Sequence, residues 1–534
     1  RASWEINTIG YGSLAAVMLL VFFAFMKFRP LILVSGSLLI GCAAGISVTA
    51  LIFGKVHLLT LVFGASLVGV AEDYGIHYFS SRQGNPDTKP FPMMRYLFPG
   101  MWLAFITSAL AYLSLGMAPL PGLQQMAVFS ATGLLAAFLT VVCWFPYLDK
   151  NAAGQSWLSD KISNSLGNWP RWQWRKKAHK FLALAISLFI VFGFSKLHTE
   201  DGLRQLQSSP PGLIKQQKDI SEILGLPSPA QYLLVTANSE EALLRTEEAL
   251  KPRLDVLVDA NSIRSYNAIS DWVPSVKRQN ENQTLVAGVE KRMLADISVS
   301  LGESLERPES SKAAFTFKNW LPLKFTQTLQ AQYLGEVDGK WGSVVMINGL
   351  NSEQSLASLE AVASSVLGVK LIDRSGEISG LLKHYRSKMT MLLFVAYFLV
   401  VIALFWRYKS QSWRAICPTI IAALLSLSAS AWLGEPVQLF TVLAQFLILG
   451  TGVDYGIFLL EHHTDSSSWL AVCLGAASTL LAFGLLALSA TPALHTFGLQ
   501  MLFGVGLSWL LSPCFRLHAS DDNAKQQHWH HKEH

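Results

Sequence analysis

Two short segments of the chain place an aspartate beside a tyrosine within long apolar stretches. The sequence GVAEDYGI, which contains Asp73 and Tyr74, returns later as GTGVDYGI, which contains Asp454 and Tyr455. A carboxylate inside an apolar membrane helix costs roughly 2.5–3.5 kcal/mol on insertion scales, and ionisable residues in such places are functional by default. The alternative for each aspartate is a carboxylate near a helix end that reaches water or pairs with a polar neighbour.

These residues have the chemistry for taking up and releasing protons. The neighbouring apolar stretches offer no lysine or arginine near the two aspartates. Desolvation without a basic partner favours the neutral carboxyl group, so such a group can exchange a proton near neutral pH. Two facing carboxylates would disfavour joint ionisation and titrate as a coupled pair. The phenols of Tyr74 and Tyr455 can donate a hydrogen bond to a carboxylate or along a proton path.

Small polar residues and glycines accompany both Asp-Tyr pairs. The apolar stretch that follows each Asp-Tyr pair contains two adjacent hydroxyl residues, which we expect to lie beside the carboxylates. The alternative is that these small residues only pack between helices. Glycines on either side of each aspartate allow helices to approach closely, and their lack of bulk can admit water. The hydroxyl residues are Thr107, Ser108, Ser478 and Thr479, and the glycines are Gly69, Gly75, Gly450 and Gly456.

The two copies differ at two positions beside the aspartate. Glu72 of the first copy is replaced by Val453, and His77 is replaced by Phe458. His77 lies one helical turn after Asp73 on the same face, so it can extend a proton relay in the first half only. A structural histidine is the alternative. Glu72 points about 100° away from Asp73, toward either a cavity or a helix interface.

Both segments belong to an internal repeat. The spacing from the second hydroxyl residue to a proline is the same in each copy, ending at Pro121 and at Pro492. Parallel repeats of this kind are a known way of building transporters. The second copy consists of a helix, a large polar domain and five helices, whereas the first has only the five helices. We therefore expect the intact protein to contain one more helix and one more polar domain before Arg1.

Composition and hydropathy place these repeats in a membrane. Of the 534 residues, 51% are hydrophobic and only 15% are charged, compared with about 25% charged in soluble domains. A membrane helix needs roughly 20 apolar residues, and buried core helices of a soluble protein are the alternative. The predicted membrane helices cover residues 8–26, 31–54, 57–80, 98–117, 122–147, 179–195, 389–406, 414–433, 437–460, 469–490 and 493–513.

Charge in the links between these helices predicts their orientation. Four links are basic, and the intervening links are short and nearly neutral, so the positive-inside rule places the basic links in the cytoplasm. One link, Glu461–Ser468, has little positive charge. The net charge of +6 is explained by these links, and nucleic acid is not expected as a partner. All five cysteines lie in or beside apolar segments, so neither a disulfide framework nor a metal site follows from them.

The polar segment reads as an α/β domain on the far side of the membrane. Strand-like and helix-like runs alternate, with strands at 231–236, 343–347 and 369–372 and helices at 239–259 and 352–367, which predicts two small βαβ-like lobes. The chain therefore divides into a first membrane repeat at 1–148, a cytoplasmic linker with an amphipathic helix at 149–178, a transmembrane helix at 179–195, a periplasmic porter-like α/β domain at 196–388, a second membrane repeat at 389–513 and a cytoplasmic tail at 514–534.

The repeated Asp-Tyr-Gly-Ile signature and the order of helix, domain and five helices resemble the resistance–nodulation–division superfamily. Within it, the chain resembles the MMPL branch of lipid and hydrophobe exporters, because drug-efflux members instead place a lysine opposite adjacent acidic residues. The resemblance covers nearly the whole chain. It implies that Asp73, Tyr74, Asp454 and Tyr455 carry proton translocation, with Glu72 and His77 beside them. It also implies that lipid passes through the polar domain as a porter domain.

The sequence therefore predicts a polytopic helical exporter in a bacterial inner membrane, driven by protons, with a lipid or other hydrophobic molecule as cargo. A phosphate-binding loop and a convincing Ser/His/Asp set are both lacking, so neither an enzyme nor a cofactor is expected. A lipid-sensing scaffold and a protein-translocation accessory are the alternatives. A periplasmic carrier or a second copy of the chain stays open as a partner. The tail histidines are expected in a solvated tail, with metal binding as the alternative: His528, His530, His531 and His534.

Overall fold

The chain divides into two compact units, one formed by residues 1–208 and 379–534 and the other by residues 209–378. The computed structural model describes residues 2–57, 60, 67–150, 154, 156–172, 177–202, 211–224, 230–305, 313–327, 329–350, 353–462 and 465–517. The tail histidines and Trp174 lie outside the described residues. So does much of the third predicted membrane helix, of which the structure describes the part from Leu67 onward.

The first unit contains two helical halves and the linker that joins them. The first half comprises α1 (Ala2–Phe25), α2 (Phe28–Phe53), α3 (Leu67–Gly84), α4 (Pro90–Leu115) and α5 (Pro121–Leu148). The linker contains α6 (Trp157–Ser165) and leads to α7 (Lys177–Ser195). The second half comprises α13 (Arg374–Tyr408), α14 (Ser412–Trp432), α15 (Leu439–Glu461), α16 (Ser466–Phe483) and α17 (Pro492–Leu511).

Local sequence explains where several of these helices begin and end. Pro121 and Pro492, the matching prolines of the repeat, start α5 and α17 at a position where the missing N–H costs no hydrogen bond. Gly54 ends α2 in the left-handed conformation, with a φ of 73°. α13 runs from Arg374 to Tyr408 without a break, so it begins well before the predicted membrane segment at 389–406.

The helices confirm the predicted fold class, a polytopic helical membrane protein. Eight stretches of the described chain are long and apolar enough to cross a membrane, and one of them, Arg374–Trp432, contains both α13 and α14. α1 has a shorter apolar part, Gly10–Phe25, and α3 carries three charged residues. Each of the predicted membrane segments coincides with a helix, α3 over its described part. We call the end of the bundle that carries the basic links the inner end.

The two halves pack reciprocally across their interface. α3, which carries the first Asp-Tyr pair, packs on α16 of the second half, and α15, which carries the second pair, packs on α4 of the first half. Each aspartate helix therefore contacts the hydroxyl-bearing helix of the other copy. This is the arrangement that a parallel repeat produces when its two copies are related by an approximate twofold axis along the membrane normal.

The linker is held beneath the bundle at its inner end. The Ser156 hydroxyl caps α6 and donates to the Phe23 carbonyl at 2.8 Å, while the Trp469 indole donates to the Ser165 hydroxyl at 2.9 Å. α6 thus ties α1 of the first half to α16 of the second. In the predicted linker at 149–178, the described residues include the helix α6, and Trp172 lies in non-helical chain.

The second unit is an α/β domain with one sheet. It contains α8 (Pro211–Leu224), β1 (Gln231–Ala237), α9 (Glu240–Asp259), β2 (Ser265–Asn267), α10 (Val276–Leu301), α11 (Phe317–Trp320), β3 (Tyr333–Val337), β4 (Lys340–Asn348), α12 (Glu353–Ser364) and β5 (Val369–Asp373). The strands lie in the order β2-β4-β1-β5, with β3 beside β4 and every pairing antiparallel.

This topology corrects the prediction of two separate βαβ lobes. β1-α9-β2 and β4-α12-β5 are both split βαβ units, because a strand of the other unit lies between the two strands of each. The two units interleave into one ferredoxin-like sheet. Its helix-covered face holds the core of the domain, in which Leu233 and Val345 of the sheet pack with Leu250 of α9 and Leu359 of α12.

Candidate functional site

Both Asp-Tyr pairs are buried at the interface between the two halves of the membrane unit. The exposed fraction is 6% for Asp73 and 4% for Asp454, and 1% for each of the neighbouring tyrosines, Tyr74 and Tyr455. The two carboxylates lie close enough to interact electrostatically. Among the residues that the structure describes, neither has a lysine or arginine partner. The helix-end alternative, in which each carboxylate reaches water, does not fit this burial.

Asp454 is held by the hydroxyl pair of the first half. Thr107 donates to its Oδ1 at 3.4 Å and Ser108 donates to its Oδ2 at 3.2 Å. Thr107 and Ser108 themselves are fully buried on α4. Two hydroxyl donors on one carboxylate favour its ionised form and lower the cost of burying it, because the charge is hydrogen-bonded rather than bare. The structure thus brings these three predicted residues together.

Asp73 has different surroundings, although it occupies the matching position. Its carboxylate packs against Gly475 on α16, where a Cβ atom would lie 2.7 Å from Oδ1. Oδ1 accepts no hydrogen bond from the described residues. Ser478, the counterpart of Thr107, lies beside the Glu72 carboxylate instead and donates to the Gly475 carbonyl at 2.9 Å. Glu72 is 3% exposed, so it faces the helix interface rather than open solvent.

The phenols complete a buried cluster around the carboxylates. In the part of the chain that the structure describes, neither the Tyr74 nor the Tyr455 hydroxyl has a partner within strict hydrogen-bond geometry, but the Tyr455 hydroxyl lies beside Thr479 of the predicted hydroxyl pair. Tyr112, which the sequence reasoning missed, is a third such phenol, fully buried on α4 one turn beyond Ser108. A tyrosine hydroxyl in the middle of an apolar span was the available signal. Three phenols within electrostatic reach of two carboxylates can donate to them once the cluster rearranges.

The predicted glycines allow close approach at two places. A Cβ on Gly75 would lie 2.8 Å from a methyl group of Val34 on α2, and one on Gly456 would overlap the Ala415 carbonyl oxygen on α14. Gly450 has ordinary contact with Ser108, at 3.5 Å. For Gly69 the structure describes only the backbone, in the first turn of α3.

A buried amide network in the second half is a further polar feature that sequence reasoning missed. Gln445 on α15 donates to Gln500 on α17 at 2.9 Å and to Ser426 on α14 at 3.1 Å, and Gln500 donates to Ser430 at 2.9 Å. The matching position of Gln500 in the first half holds Phe129. This network fastens α14, α15 and α17 together on the face of α15 opposite Asp454.

The outer end of α15 is tied to the chain that leads into the α/β domain. Val437, just before α15, donates from its backbone N–H to the His198 carbonyl at 2.8 Å, and it forms a parallel bridge with Thr199. Nearby, Arg386 on α13 forms a two-point ion pair with Asp201, at 2.7 and 2.9 Å. These contacts join the strand that leaves α7 to the two helices α13 and α15.

Comparisons with known proteins support this architecture. No protein-family model matches the chain, and no curated protein matches it in sequence. Among solved structures, SecDF, a translocon-associated membrane protein from Thermus thermophilus, matches 98% of this chain and 62% of its own, at a TM-score of 0.52 and 14% identity. A heavy-metal efflux pump matches 96% of this chain and 67% of its own, at a TM-score of 0.58 and 12% identity.

The chain shares its fold with these two membrane proteins. A second structure of SecDF, in a super-membrane-facing form, gives the same likeness at a TM-score of 0.51 and 13% identity. The chain spans about 62% of the length of the SecDF chains. At such identities the likeness defines the fold alone. The prediction of the MMPL branch therefore stays a prediction.

Proposed function

We propose that this chain is a proton-driven exporter of a lipid or another hydrophobic molecule in a bacterial inner membrane, with its α/β unit in the periplasm. The observation that carries the proposal is the pair Asp73 and Asp454. Two carboxylates from the two repeats lie buried within electrostatic reach of each other, and neither has a basic partner in the described chain. Such a pair is suited to binding protons during a transport cycle, since protonation removes the cost of burying charge.

Protonation would change the contacts between the halves. While Asp454 is ionised, Thr107 and Ser108 donate to it and hold α15 against α4. A neutral carboxyl group is a weaker acceptor and becomes a donor itself, so this contact would loosen. Asp73 would undergo the same change against α16. Each proton that moves inward releases about 2.3 kcal/mol per 100 mV of membrane potential, which is comparable to the strength of such hydrogen bonds.

Motion of α15 has a direct route to the polar domain. The backbone contact of Val437 with His198 and the ion pair of Arg386 with Asp201 couple α15 and α13 to the chain that enters the domain. A shift of α15 would therefore pull on the two stretches that connect the domain to the membrane unit. Packed helices of this kind have two discrete arrangements rather than a continuous range, which suits alternating access.

A lipid cargo is supported by the resemblance of the repeated Asp-Tyr motif to MMPL exporters. The likeness to SecDF favours a second candidate, an accessory of protein translocation driven by the same carboxylates. Binding of unfolded polypeptide by the α/β unit would distinguish the second candidate from the first.

The test replaces both aspartates, in the variant Asp73→Asn with Asp454→Asn, and uses Asp160→Asn on the exposed face of α6 as the matched control. We expect the double variant to be present in the membrane at normal level and to lose export, measured as the change in outer-membrane lipids relative to cells that lack the protein. The control should restore the native lipid profile. Full export by the double variant would contradict the mechanism. Loss of periplasmic protein maturation without any lipid change would favour the second candidate.

A further inference from the structure

Below the carboxylates, α3 and α15 continue with matching positions at one-turn intervals toward the inner end. Residues four apart on a helix share one face, so these positions form two columns at the interface between the halves. Their members differ in chemistry from one copy to the other. The matching positions are Asp73 with Asp454, His77 with Phe458, and Ser81 with His462.

The middle pair is in direct contact across the interface. The rings of His77 and Phe458 stack with centroids 3.4 Å apart and planes 18° from parallel, and their exposed fractions are 3% and 1%. One turn further in, His462 is 4% exposed and packs on the Tyr96 ring of α4 at 4.3 Å. The two imidazoles are close enough to interact electrostatically. They therefore alternate between the helices, one on α3 and the next on α15.

The column ends at charged groups near the inner surface. Glu461, the neighbour of His462, accepts from Arg407 of α13 at 3.0 Å and from the Tyr408 phenol at 3.1 Å. The side chain of Arg407 is 49% exposed, so this group lies at the surface of the bundle. Among the described residues, the titratable groups near His462 include His77 from α3, Tyr96 from α4, Glu461 and Asp465 from the adjoining chain, and Arg407 and Tyr408 from α13.

The symmetry-related side of the interface lacks these imidazoles. Ser81 stands at the position that matches His462, and Ser467 of α16 stands at the position that matches Tyr96. Both serines are buried, and Ser467 lies against Gly84, where a Cβ atom would be 2.7 Å from the Ser467 Cβ. The titratable group nearest these serines is the Asp465 carboxylate, which accepts from the Ser467 backbone N–H at 2.9 Å. Among the residues that the structure describes, both imidazoles of the interface lie on the side formed by α3, α4 and α15.

We propose that protons leave the carboxylate pair for the inner face through His77 and then His462, on this side only. The inference rests on the proposed function and assigns its inner proton path. The Asp73 carboxyl group would give its proton to an imidazole nitrogen of His77, so that an O–H bond breaks and an N–H bond forms. The imidazolium would pass its proton to His462, and from there it would move to Glu461 or to water. Each ring returns to its neutral form, and the carboxylate is left ionised.

The test measures proton access to Asp73 from each face without any cargo. Inverted and right-side-out vesicles that contain the full chain are first exposed to acid in the outer medium. A carbodiimide, which reacts with protonated buried carboxyl groups, is then added. The rate at which Asp73 becomes labelled is followed by quenched-flow sampling and mass spectrometry. The variants are His77→Phe, which keeps an aromatic stack, and His462→Gln, which keeps polarity. His384→Phe on the outer part of α13 is the matched control.

In inverted vesicles we expect both variants to slow labelling by about 100-fold or more, the scale of a lost proton relay, with no change in right-side-out vesicles. The exchange variant, His77→Phe with Phe458→His, moves the imidazole to the other helix and should recover most of the rate. Labelling of Asp454 from the outer face verifies that each variant is folded. Native rates in both single variants would overturn the proposed path. A native chain that is never labelled from either face would instead contradict the proposed function itself.

Discussion

Adding a methyl group at Gly475 should displace the Asp73 carboxylate. A Cβ atom there would lie 2.7 Å from Oδ1, 3.0 Å from Cγ and 3.1 Å from Oδ2 of that residue. All three distances are shorter than an ordinary carbon contact of about 3.5 Å, and the whole carboxylate faces the new atom. Rotating the group cannot relieve the overlap, so either the side chain or helix α16 must move. Overpacking of this kind costs about 1–3 kcal/mol.

The assay is the rate of carbodiimide labelling of Asp73 in the purified full chain, together with the thermal unfolding temperature. If the carboxylate leaves its site, Gly475→Ala should slow labelling by roughly 5- to 150-fold, which is the same 1–3 kcal/mol expressed as a ratio. Asp454 provides an internal control, because its hydroxyl partners lie on α4 and the new methyl group does not reach them.

The repeat supplies a matched variant. Ala104 on α4 occupies the position that corresponds to Gly475, so Ala104→Gly tests the same exchange in the other half without crowding a carboxylate. It should leave labelling of Asp73 unchanged. A native rate of Asp73 labelling in Gly475→Ala would show that the carboxylate does not pack against this glycine. The proposed difference between the surroundings of Asp73 and Asp454 would then be wrong.

Three further changes test other parts of the structure. Gln500→Phe introduces the residue found at the matching position of the first half, Phe129. It leaves buried polar groups unpaired, so it should lower the unfolding free energy by about 1–3 kcal/mol. An unchanged denaturation midpoint would argue against the amide network. Arg386→Met should reduce export while carbodiimide labelling of the aspartates stays native, and a parallel loss of labelling would contradict its coupling role. Burial raises the pKa of Glu247, in the α/β unit, above 4.5. Its contribution to stability is therefore greatest below pH 4.5 and declines as the pH rises through the folded value. Denaturation at increasing pH above 4.5 should therefore increasingly favour Glu247→Gln, and a difference in stability that stays constant with pH would refute this.

The asymmetry between the two halves has a mechanistic consequence. One carboxylate, Asp454, has two hydroxyl donors, whereas Asp73 rests on a glycine and has Glu72 and His77 on its own helix. The two members of the pair therefore differ in how strongly the protein favours their ionised forms. A pair of this kind can bind and release protons in a fixed order, which a symmetric pair does not impose.

Prediction from sequence succeeded where the signal was periodic or repeated. Long apolar runs predicted the membrane helices, because a bilayer demands uninterrupted apolar length. Repetition of Asp-Tyr-Gly-Ile with equal spacing to Pro121 and Pro492 predicted that the two motifs occupy matching places. Three of the five strands described in the α/β unit, β1, β4 and β5, were also predicted from their apolar alternation, whereas the short strands β2 and β3 were not. Their pairing into one interleaved sheet was not, because strand order depends on contacts between segments far apart in the chain.

The sequence by itself determined which residues are available for proton chemistry and that they lie within apolar helices. Only the tertiary structure decided what each of them contacts. Equal spacing implied matching positions for Asp73 and Asp454, yet one carboxylate contacts the hydroxyls of α4 and the other a glycine of α16. The stack of His77 on Phe458 joins residues that are far apart in the chain, one in each repeat. The physical reason is that helix periodicity is a local property, whereas the register of one helix against another is fixed by the fit of side chains across the interface.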